Sequence, residues 1–307
     1  MSAIPFLPRE SEFIPTVLPE NYVLHPSFSG DFRIFCFQKP EGTPSLKVHK
    51  VHQILIDEKP VVTIDQFFAE EEENQWHQWV NTASFTQKIF FSRESMADVC
   101  MMDQLSHLAL LETPFPSLNR LYQLLGQIGA ELNADVLLQP LQLNNHVSKE
   151  RSHSIVTNLL REVPSASSEE GWHKDYQPEE IGLPFLIPRV DTTVLFPPRF
   201  ANGSFGNPYL ISLILYVANK HFTPLWGLGT SMRDSQRHLT TIECRSMRIV
   251  LFQGDIEHTI QASSDLCPKE ALWKRLSLVM KLILRPKDSY SAIPLKDRFI
   301  ELFAQKF

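Results

Sequence analysis

Three residues of the sequence have the types and the spacing of a metal site. His173 and Asp175 are separated by one residue within the run Gly171–Tyr176 (GWHKDY), and His258 lies further along the chain. Residues i and i+2 of a β-strand point to the same face. An imidazole and a carboxylate would therefore lie side by side if this run is extended. Among the eleven histidines, only His173 is followed by an acidic residue two positions later.

His258 completes a set of ligands that is typical of one class of metal chemistry. It follows the predicted strand Met247–Phe252 and a turn at Gly254 and Asp255. Two histidines and one carboxylate, which leave coordination positions open, form the facial triad of non-haem Fe(II) oxygenases. The pattern predicts that His173, Asp175 and His258 bind a metal and form the catalytic centre.

A cationic side chain follows His258 at the start of another predicted strand. In the run RLSLVM, Arg275, Ser277 and Val279 share one face of the strand, and the residues between them share the other. An arginine gives a carboxylate two parallel, charge-assisted hydrogen bonds, and a serine hydroxyl adds a further donor. We therefore expect Arg275 and Ser277 to bind the carboxylate of a dicarboxylic acid in a barrel interior.

Together these motifs resemble the signature of the Fe(II)/2-oxoglutarate-dependent dioxygenases. The matching motifs are His173-x-Asp175, Phe252-x-Gly254 before His258, and Arg275-x-Ser277. The runs Tyr209–Asn219 and Pro60–Glu71 are similar to the prolyl-4-hydroxylase-like branch, and Thr223–Thr230 is closer to the phytanoyl-hydroxylase-like branch. The resemblance covers roughly residues 60–285.

The resemblance implies a fold, two cofactors and a reaction. The fold is mainly β with flanking helices, built on a double-stranded β-helix (jelly roll). Fe(II) would be bound by His173, Asp175 and His258, with O2 as co-substrate. The far carboxylate of 2-oxoglutarate would pair with Arg275 and Ser277, and Tyr216 resembles a tyrosine that helps to hold it. The reaction would hydroxylate a peptide, a protein side chain or a small metabolite, with succinate and CO2 as co-products.

Other functions remain open from the sequence. Related chemistry includes nucleic-acid demethylation of the AlkB-like kind, and a jelly roll could also be a non-catalytic binding protein or a cupin-like isomerase. The chain has 29 basic and 35 acidic residues, a net charge of −6, and no basic stripe with interleaved aromatic residues. We therefore expect a peptide or small-molecule substrate, and neither a nucleic acid nor a membrane as partner.

The elements that must position these residues change along the chain. Apolar spacing of three and four residues predicts helices at Ala69–Val80, Leu105–Leu111 and Ser117–Leu132. Alternating runs predict early strands at Phe32–Phe37, Val51–Ile56 and Pro60–Asp65. After Asn133 the predicted strands are Val136–Leu143, Gly171–Tyr176, Thr192–Phe196, Tyr209–Val217, His238–Cys244, Met247–Phe252, His258–Ala262 and Leu276–Leu284. Turns are predicted at Pro164–Glu170, Pro197–Pro208 and Gly227–Ser235.

These elements divide the 307 residues into four predicted segments. They are an N-terminal extension (1–59), an α/β portion with supporting helices (60–134), a double-stranded β-helix catalytic domain (135–290) and a C-terminal helix (291–307). Short strands after residue 134 favour a sandwich, barrel or jelly roll there.

Composition excludes several other classes. Apolar residues are 43% of the chain, which is enough for a core, and only 11 glycines make a glycine-rich nucleotide loop improbable. The four cysteines form no C-x-x-C pair, so zinc-ribbon and thioredoxin spacings are missing. The first residues, MSAIPFLPRESEF, do not have the pattern of a secretory signal, and no apolar run approaches the roughly 20 residues of a membrane span. We expect a cytoplasmic protein.

Overall fold

The longest apolar runs of the sequence form the centre of the largest of three antiparallel sheets in the described part of the chain. The structure is a computed structural model that describes residues 22–27, 32–39, 41–87, 99–101, 110–111, 113–138, 155–160, 171–176, 187–188, 193–194, 201–268, 274–287 and 293–305.

The strands in these ranges are β1 Tyr22–Ser27, β2 Phe32–Phe37, β3 Val51–Ile56, β4 Lys59–Ile64, β5 Thr86–Gln87, β6 Val99–Met101, β7 Ala134–Leu138, β8 Ile155–Leu160, β9 Ile187–Pro188, β10 Thr193–Val194, β11 Tyr209–Ala218, β12 Thr230–Arg233, β13 Leu239–Ile242, β14 Ile249–Gln253, β15 Glu257–Ile260 and β16 Arg275–Pro286. The helices are α1 Glu70–Thr82, α2 Pro116–Glu131 and α3 Leu295–Gln305, and a 3-10 turn spans Pro224–Trp226.

The large sheet is organised around the long strand β16. Its main path has the order β1-β2-β7-β16-β11-β14-β4-β3, and β8 also pairs with β16. One edge of β16 pairs with β11 along ten residues, from Arg275 to Leu284. The other edge pairs with β8 through Met280 and with β7 from Leu282 onward. All these pairs are antiparallel, so β16 fixes the register of its three neighbours.

Alternation along β11 separates the two faces of this sheet. Leu213, Leu215 and Val217 join the larger core cluster, to which the apolar stripe of α2 also belongs. Ile214 and Tyr216 belong to a second cluster with residues of β12 and β13. Burying a leucine side chain is worth about 1.5–3 kcal/mol. The face of Leu213, Leu215 and Val217 thus packs against the helices, and the face of Ile214 and Tyr216 packs against the small sheet.

The small sheet has the order β13-β12-β15. Beyond β15, His173 forms an isolated antiparallel bridge with His258. The predicted class, mainly β with flanking helices, is confirmed. The predicted segment boundaries stay a prediction: β4 spans the 59/60 boundary and pairs with β3 in the same sheet as β16.

Several sequence predictions are corrected by the structure. Gly171–Tyr176 was expected to be a strand but holds only the bridge at His173. Gly227–Ser235 was expected to be a turn but contains β12, whose Thr230 and Met232 are buried. A four-residue strand is too short for alternation to be recognised. The predicted helix Leu105–Leu111 and the end of Val136–Leu143 lie largely outside the described residues.

No helix in the described part of the chain has both the length and the hydrophobicity that crossing a lipid bilayer requires.

Candidate metal centre

Backbone pairing brings the two predicted histidine ligands together. The N–H of His173 donates to the carbonyl of His258 at 3.0 Å, and the N–H of His258 donates back at 2.9 Å. Directly opposed residues of an antiparallel pair point to the same side. The two imidazole rings accordingly lie 4.3 Å apart between centroids. Tyr176 N–H donates to the Gly254 carbonyl at 2.8 Å and fixes the chain just after Asp175.

Asp175 lies between the two rings. The His173 Nε2–Asp175 Oδ1 distance is 3.6 Å, and so is the His258 Nε2–Asp175 Oδ2 distance. One potential ligand atom from each of the three residues lies within 4.8 Å of the others. The structure thus brings His173, Asp175 and His258 into one cluster, and no other cluster of this kind occurs among the described residues.

The protonation of both rings suits metal binding. His173 Nδ1 lies 3.1 Å from the Gly171 carbonyl, and His258 Nδ1 lies 2.9 Å from the Ile256 carbonyl. A carbonyl oxygen only accepts, so each Nδ1 must carry the proton. Each Nε2 then keeps the lone pair that a metal needs, and the carbonyl fixes the ring orientation.

The pKa of His258 favours the same form. Burial lowers this pKa to about 4 by penalising the imidazolium, and Asp175 only partly opposes the effect. His258 is therefore a neutral imidazole at neutral pH, which is the form that binds metals.

Two further side chains hold the Asp175 carboxylate. Its side chain is 7% exposed. Ser212 Oγ donates to Oδ2 at 2.5 Å, and the Lys281 ammonium contacts the same oxygen. Burial acts to raise the pKa of Asp175, but Lys281 and the two histidines outweigh it and hold the pKa below its usual range. Asp175 is thus an anion, anchored through one of its oxygens.

Sequence reasoning missed Ser212 and Lys281. Lys281 occurs on β16 at an even spacing from Arg275 and therefore on the same face of the strand. Ser212 is a polar residue in the otherwise apolar run YLISLILYVA and is paired with Lys281 in the sheet. Both residues could have been found from the sequence only by comparing which residues of β11 and of β16 share the interior face.

The predicted carboxylate-binding residues lie further along the interior face of β16. Arg275 is 2% exposed, and its Cζ lies 4.9 Å from the centre of the Tyr216 ring. Tyr216 OH forms a 2.5 Å hydrogen bond with Thr230 Oγ1, and burial raises the pKa of Tyr216 to about 12. Ser277 is also buried and is the sheet partner of Tyr216. Arg275, Ser277 and Tyr216 therefore form one group.

Arg275 lacks the partners that a buried cation normally has. Its Nε has no hydrogen-bond partner, and no carboxylate among the described residues forms an ion pair with it. A buried charge without an anion is costly. Arg275 pairs with Ala218 in the sheet, yet its guanidinium lies over Tyr216, two residues nearer the metal-ligand cluster. The cation is thus directed along the interior toward Asp175.

Comparisons with known proteins give only distant likenesses. No protein-family model matches the sequence, and no curated protein matches it. Among solved structures, the chain is similar to a prolyl-4-hydroxylase from Pseudomonas putida, at 11% identity and a TM-score of 0.35, over 70% of this chain and 84% of that one.

Two further solved structures show the same level of similarity. The non-heme alpha-ketoglutarate-dependent epimerase SnoN from nogalamycin biosynthesis is 12% identical, with a TM-score of 0.38, over 76% of this chain and 87% of that one. A prolyl 4-hydroxylase from Phytophthora capsici is 14% identical, with a TM-score of 0.33, over 73% and 58%. Because these TM-scores are below 0.5, the geometry of the site carries the functional assignment.

Proposed function

We propose that this chain is an Fe(II)- and 2-oxoglutarate-dependent dioxygenase that hydroxylates a peptide, a protein side chain or a small metabolite. The observation that carries the proposal is the buried Arg275, which has no ion-pair carboxylate among the described residues and faces the same interior as the His173–Asp175–His258 cluster. A metal site and an anion site in one shared interior are what a metal-chelating dicarboxylate requires.

The strand order supports a double-stranded β-helix. One layer contains β8-β16-β11-β14, and the other contains the His173 segment followed by β15-β12-β13. These seven antiparallel strands and the His173 segment, in two facing layers, approach the eight-stranded architecture of a jelly roll. The residues between the layers include the proposed metal ligands and Arg275.

The donor set fits Fe(II). Two imidazoles and one carboxylate on one side of a site leave the opposite positions open for other ligands. His173 and His258 would bind through Nε2, and Asp175 would bind as the anion whose charge Lys281 and Ser212 stabilise. Iron with 2-oxoglutarate supplies the oxygen activation, while the protein supplies ligation, orientation and a shielded interior.

The second group fits the far carboxylate of 2-oxoglutarate. Arg275 would donate two parallel hydrogen bonds to it, and Ser277 would add a hydroxyl donor. Tyr216 would support the guanidinium with its ring, because its own hydroxyl is already bonded to Thr230. The apolar lining around Ile214 and Met232 would exclude water from the space between the two groups.

Anaerobic titration with Fe(II) and 2-oxoglutarate tests the proposal. Wild-type protein should develop a metal-to-ligand charge-transfer band, which His173→Ala should abolish. Arg275→Met should weaken 2-oxoglutarate binding while leaving Fe(II) binding unchanged. Arg245→Met, at an exposed Arg245–Glu243 pair, is the matched control and should behave as wild type. If the wild type gives no band, the chain is not an oxygenase of this kind.

The substrate class and the location are part of the same proposal. The acidic net charge of −6 supports a peptide or small molecule over a nucleic acid as substrate, and we propose the cytoplasm as the location. Succinate formation with peptide, metabolite and oligonucleotide libraries distinguishes these classes. Turnover with oligonucleotides alone would replace the hydroxylase proposal with nucleic-acid demethylation.

A further inference from the structure

Three side chains on the outer face of the small sheet connect the segment that contains His173 to the strands β15 and β12. Arg233 of β12 makes a bidentate ion pair with Glu257 of β15, with both nitrogen–oxygen distances at 2.6 Å. The same guanidinium lies 4.5 Å from the centre of the Trp172 ring. We call Trp172, Arg233 and Glu257 the outer stack.

Each member of the outer stack is adjacent in sequence to a residue of the candidate metal centre or its lining. Trp172 precedes His173, and Glu257 precedes His258. Arg233 is opposite Glu257 in the sheet, in the same register that places Met232 opposite His258. Neighbouring residues of an extended chain point to opposite faces, so the outer stack lies behind the histidines and does not reach the metal position.

The His173 segment depends on contacts of this kind because it is not a full strand. The described backbone bonds that attach it to its neighbours are the two of the His173–His258 bridge and the one from Tyr176 to Gly254. Close packing adds to these at Gly171, where a Cβ would lie 2.9 Å from Thr259 Oγ1. A tryptophan covered by a paired guanidinium adds a cation–π contact across β15. The outer stack thereby reinforces a short and otherwise weakly paired segment.

We propose that Trp172, Arg233 and Glu257 are positioning residues that hold the His173–Asp175 segment against the strand of His258. They would fix the separation of the two imidazoles and so raise metal affinity without contacting the metal. The expected gain in metal affinity rests on the proposed function. The expected effect on pairing between the His173 segment and β15 is independent of that function.

Amide hydrogen exchange in the full-length protein tests the pairing directly. The His173 and His258 amides form the bridge, so their exchange rates report how often the segment separates from β15. Trp172→Leu and Arg233→Met should each raise both rates about tenfold, which corresponds to loss of a partly desolvated cation–π contact. Trp172→Phe keeps an aromatic face and should retain most of the protection. The double variant Trp172→Leu/Arg233→Met should exchange no faster than the worse single variant.

Co(II) titration, followed by its d–d absorption, tests the consequence for the metal. Trp172→Leu and Arg233→Met should each bind Co(II) about tenfold more weakly, because each loses the cation–π contact. Trp172→Phe should bind Co(II) nearly as tightly as the wild type. Arg245→Met removes another arginine–glutamate pair and should change neither measurement. Unchanged exchange at both amides in Trp172→Leu, or an equal increase at all amides, would overturn the positioning role. A wild type that binds no Co(II) would instead contradict the proposed function.

Discussion

Ser212 donates a 2.5 Å hydrogen bond to Oδ2 of Asp175, from the strand that pairs with Lys281. The bond links the centre of the large sheet to a short segment that pairs with the small one. The orientation of the only carboxylate in the proposed ligand set therefore depends on both sheets.

Ser212→Ala should weaken metal binding by about tenfold. Hydrogen bonds to a ligating group typically account for 10–100-fold in metal affinity, and Lys281 would still hold the carboxylate in this variant. Competition between the protein and a chelator for Co(II) gives the dissociation constant. Ser231→Ala removes an exposed serine hydroxyl of β12 and should leave that constant unchanged. Equal affinities in wild type and Ser212→Ala would show that Lys281 alone positions Asp175.

Lys281→Met should lower the stability of the metal-free protein and increase the stabilisation that metal binding provides. The substitution leaves a buried carboxylate without its cation, which costs about 3 kcal/mol when one partner of such a pair is removed. A divalent metal restores the missing positive charge. Thermal unfolding should therefore show a lower Tm without metal and a larger rise in Tm with Co(II) than in the wild type. Lys287→Met removes an exposed lysine from Asp135, which keeps its closer ion pair with Arg285, and should change Tm by little.

The Asp65–Arg248 pair predicts how stability depends on pH. Arg248 Nε and Nη2 donate to the two oxygens of Asp65, both at 2.7 Å. Burial opposes ionisation of Asp65, but Arg248 outweighs it and lowers the pKa in the folded protein. The pair therefore stabilises the fold above the unfolded pKa of about 3.9, and this contribution is lost as pH falls through the lower folded value.

Asp65→Asn should remove that pH dependence. Urea unfolding at pH 7 should show a loss on the order of 3 kcal/mol, because the buried Arg248 loses its counter-charge. The difference between wild type and variant should begin to shrink below about pH 4, where the carboxylate of the unfolded wild type takes up a proton, and should shrink further as the pH falls through the lower folded pKa. A constant difference from pH 7 to pH 3 would mean that the charge of Asp65 contributes nothing.

Tyr216→Phe should weaken 2-oxoglutarate binding about threefold to tenfold in the Fe(II)-loaded protein. That range corresponds to one hydrogen bond of about 0.5–1.5 kcal/mol, here the bond to Thr230 that holds the ring under Arg275. Tyr209→Phe is a matched control, since Tyr209 is a buried tyrosine on the opposite face of β11 and packs on Phe299 of α3. Equal effects of both variants on 2-oxoglutarate affinity would contradict the role given to Tyr216.

The sequence predicted the long elements and the cluster of three ligands for simple physical reasons. The strands β2 and β3 have the predicted bounds, because a long apolar run is a strong local signal. For the same reason β11 is only one residue longer at its C-terminal end, and β16 is one residue longer at its start and two at its end. His173 and Asp175 could be recognised because they are close in sequence and chemically distinctive.

Other parts of the site could not be predicted because they depend on contacts between distant strands. The role of Lys281 follows from its contact with Asp175, more than a hundred residues earlier in the chain. The His173 segment was wrongly predicted to be a strand, since its alternation is real but only one residue of it is paired. The outer stack depends on a register between β12 and β15 that no local pattern contains.

β16 runs unbroken from Arg275 to Pro286, so a single strand carries both Arg275 and the lysine that contacts Asp175. Six residues separate Arg275 from Lys281, which places their Cα atoms about 20 Å apart at roughly 3.4 Å per residue. Neither end can move independently, since pairing with β11 holds both. Under the proposed function, a 2-oxo diacid of another chain length should bind more weakly, because this strand fixes how far Arg275 lies from the contact between Lys281 and Asp175. Chain-length selectivity would thus be a property of the backbone, and not of the residues that line the space between.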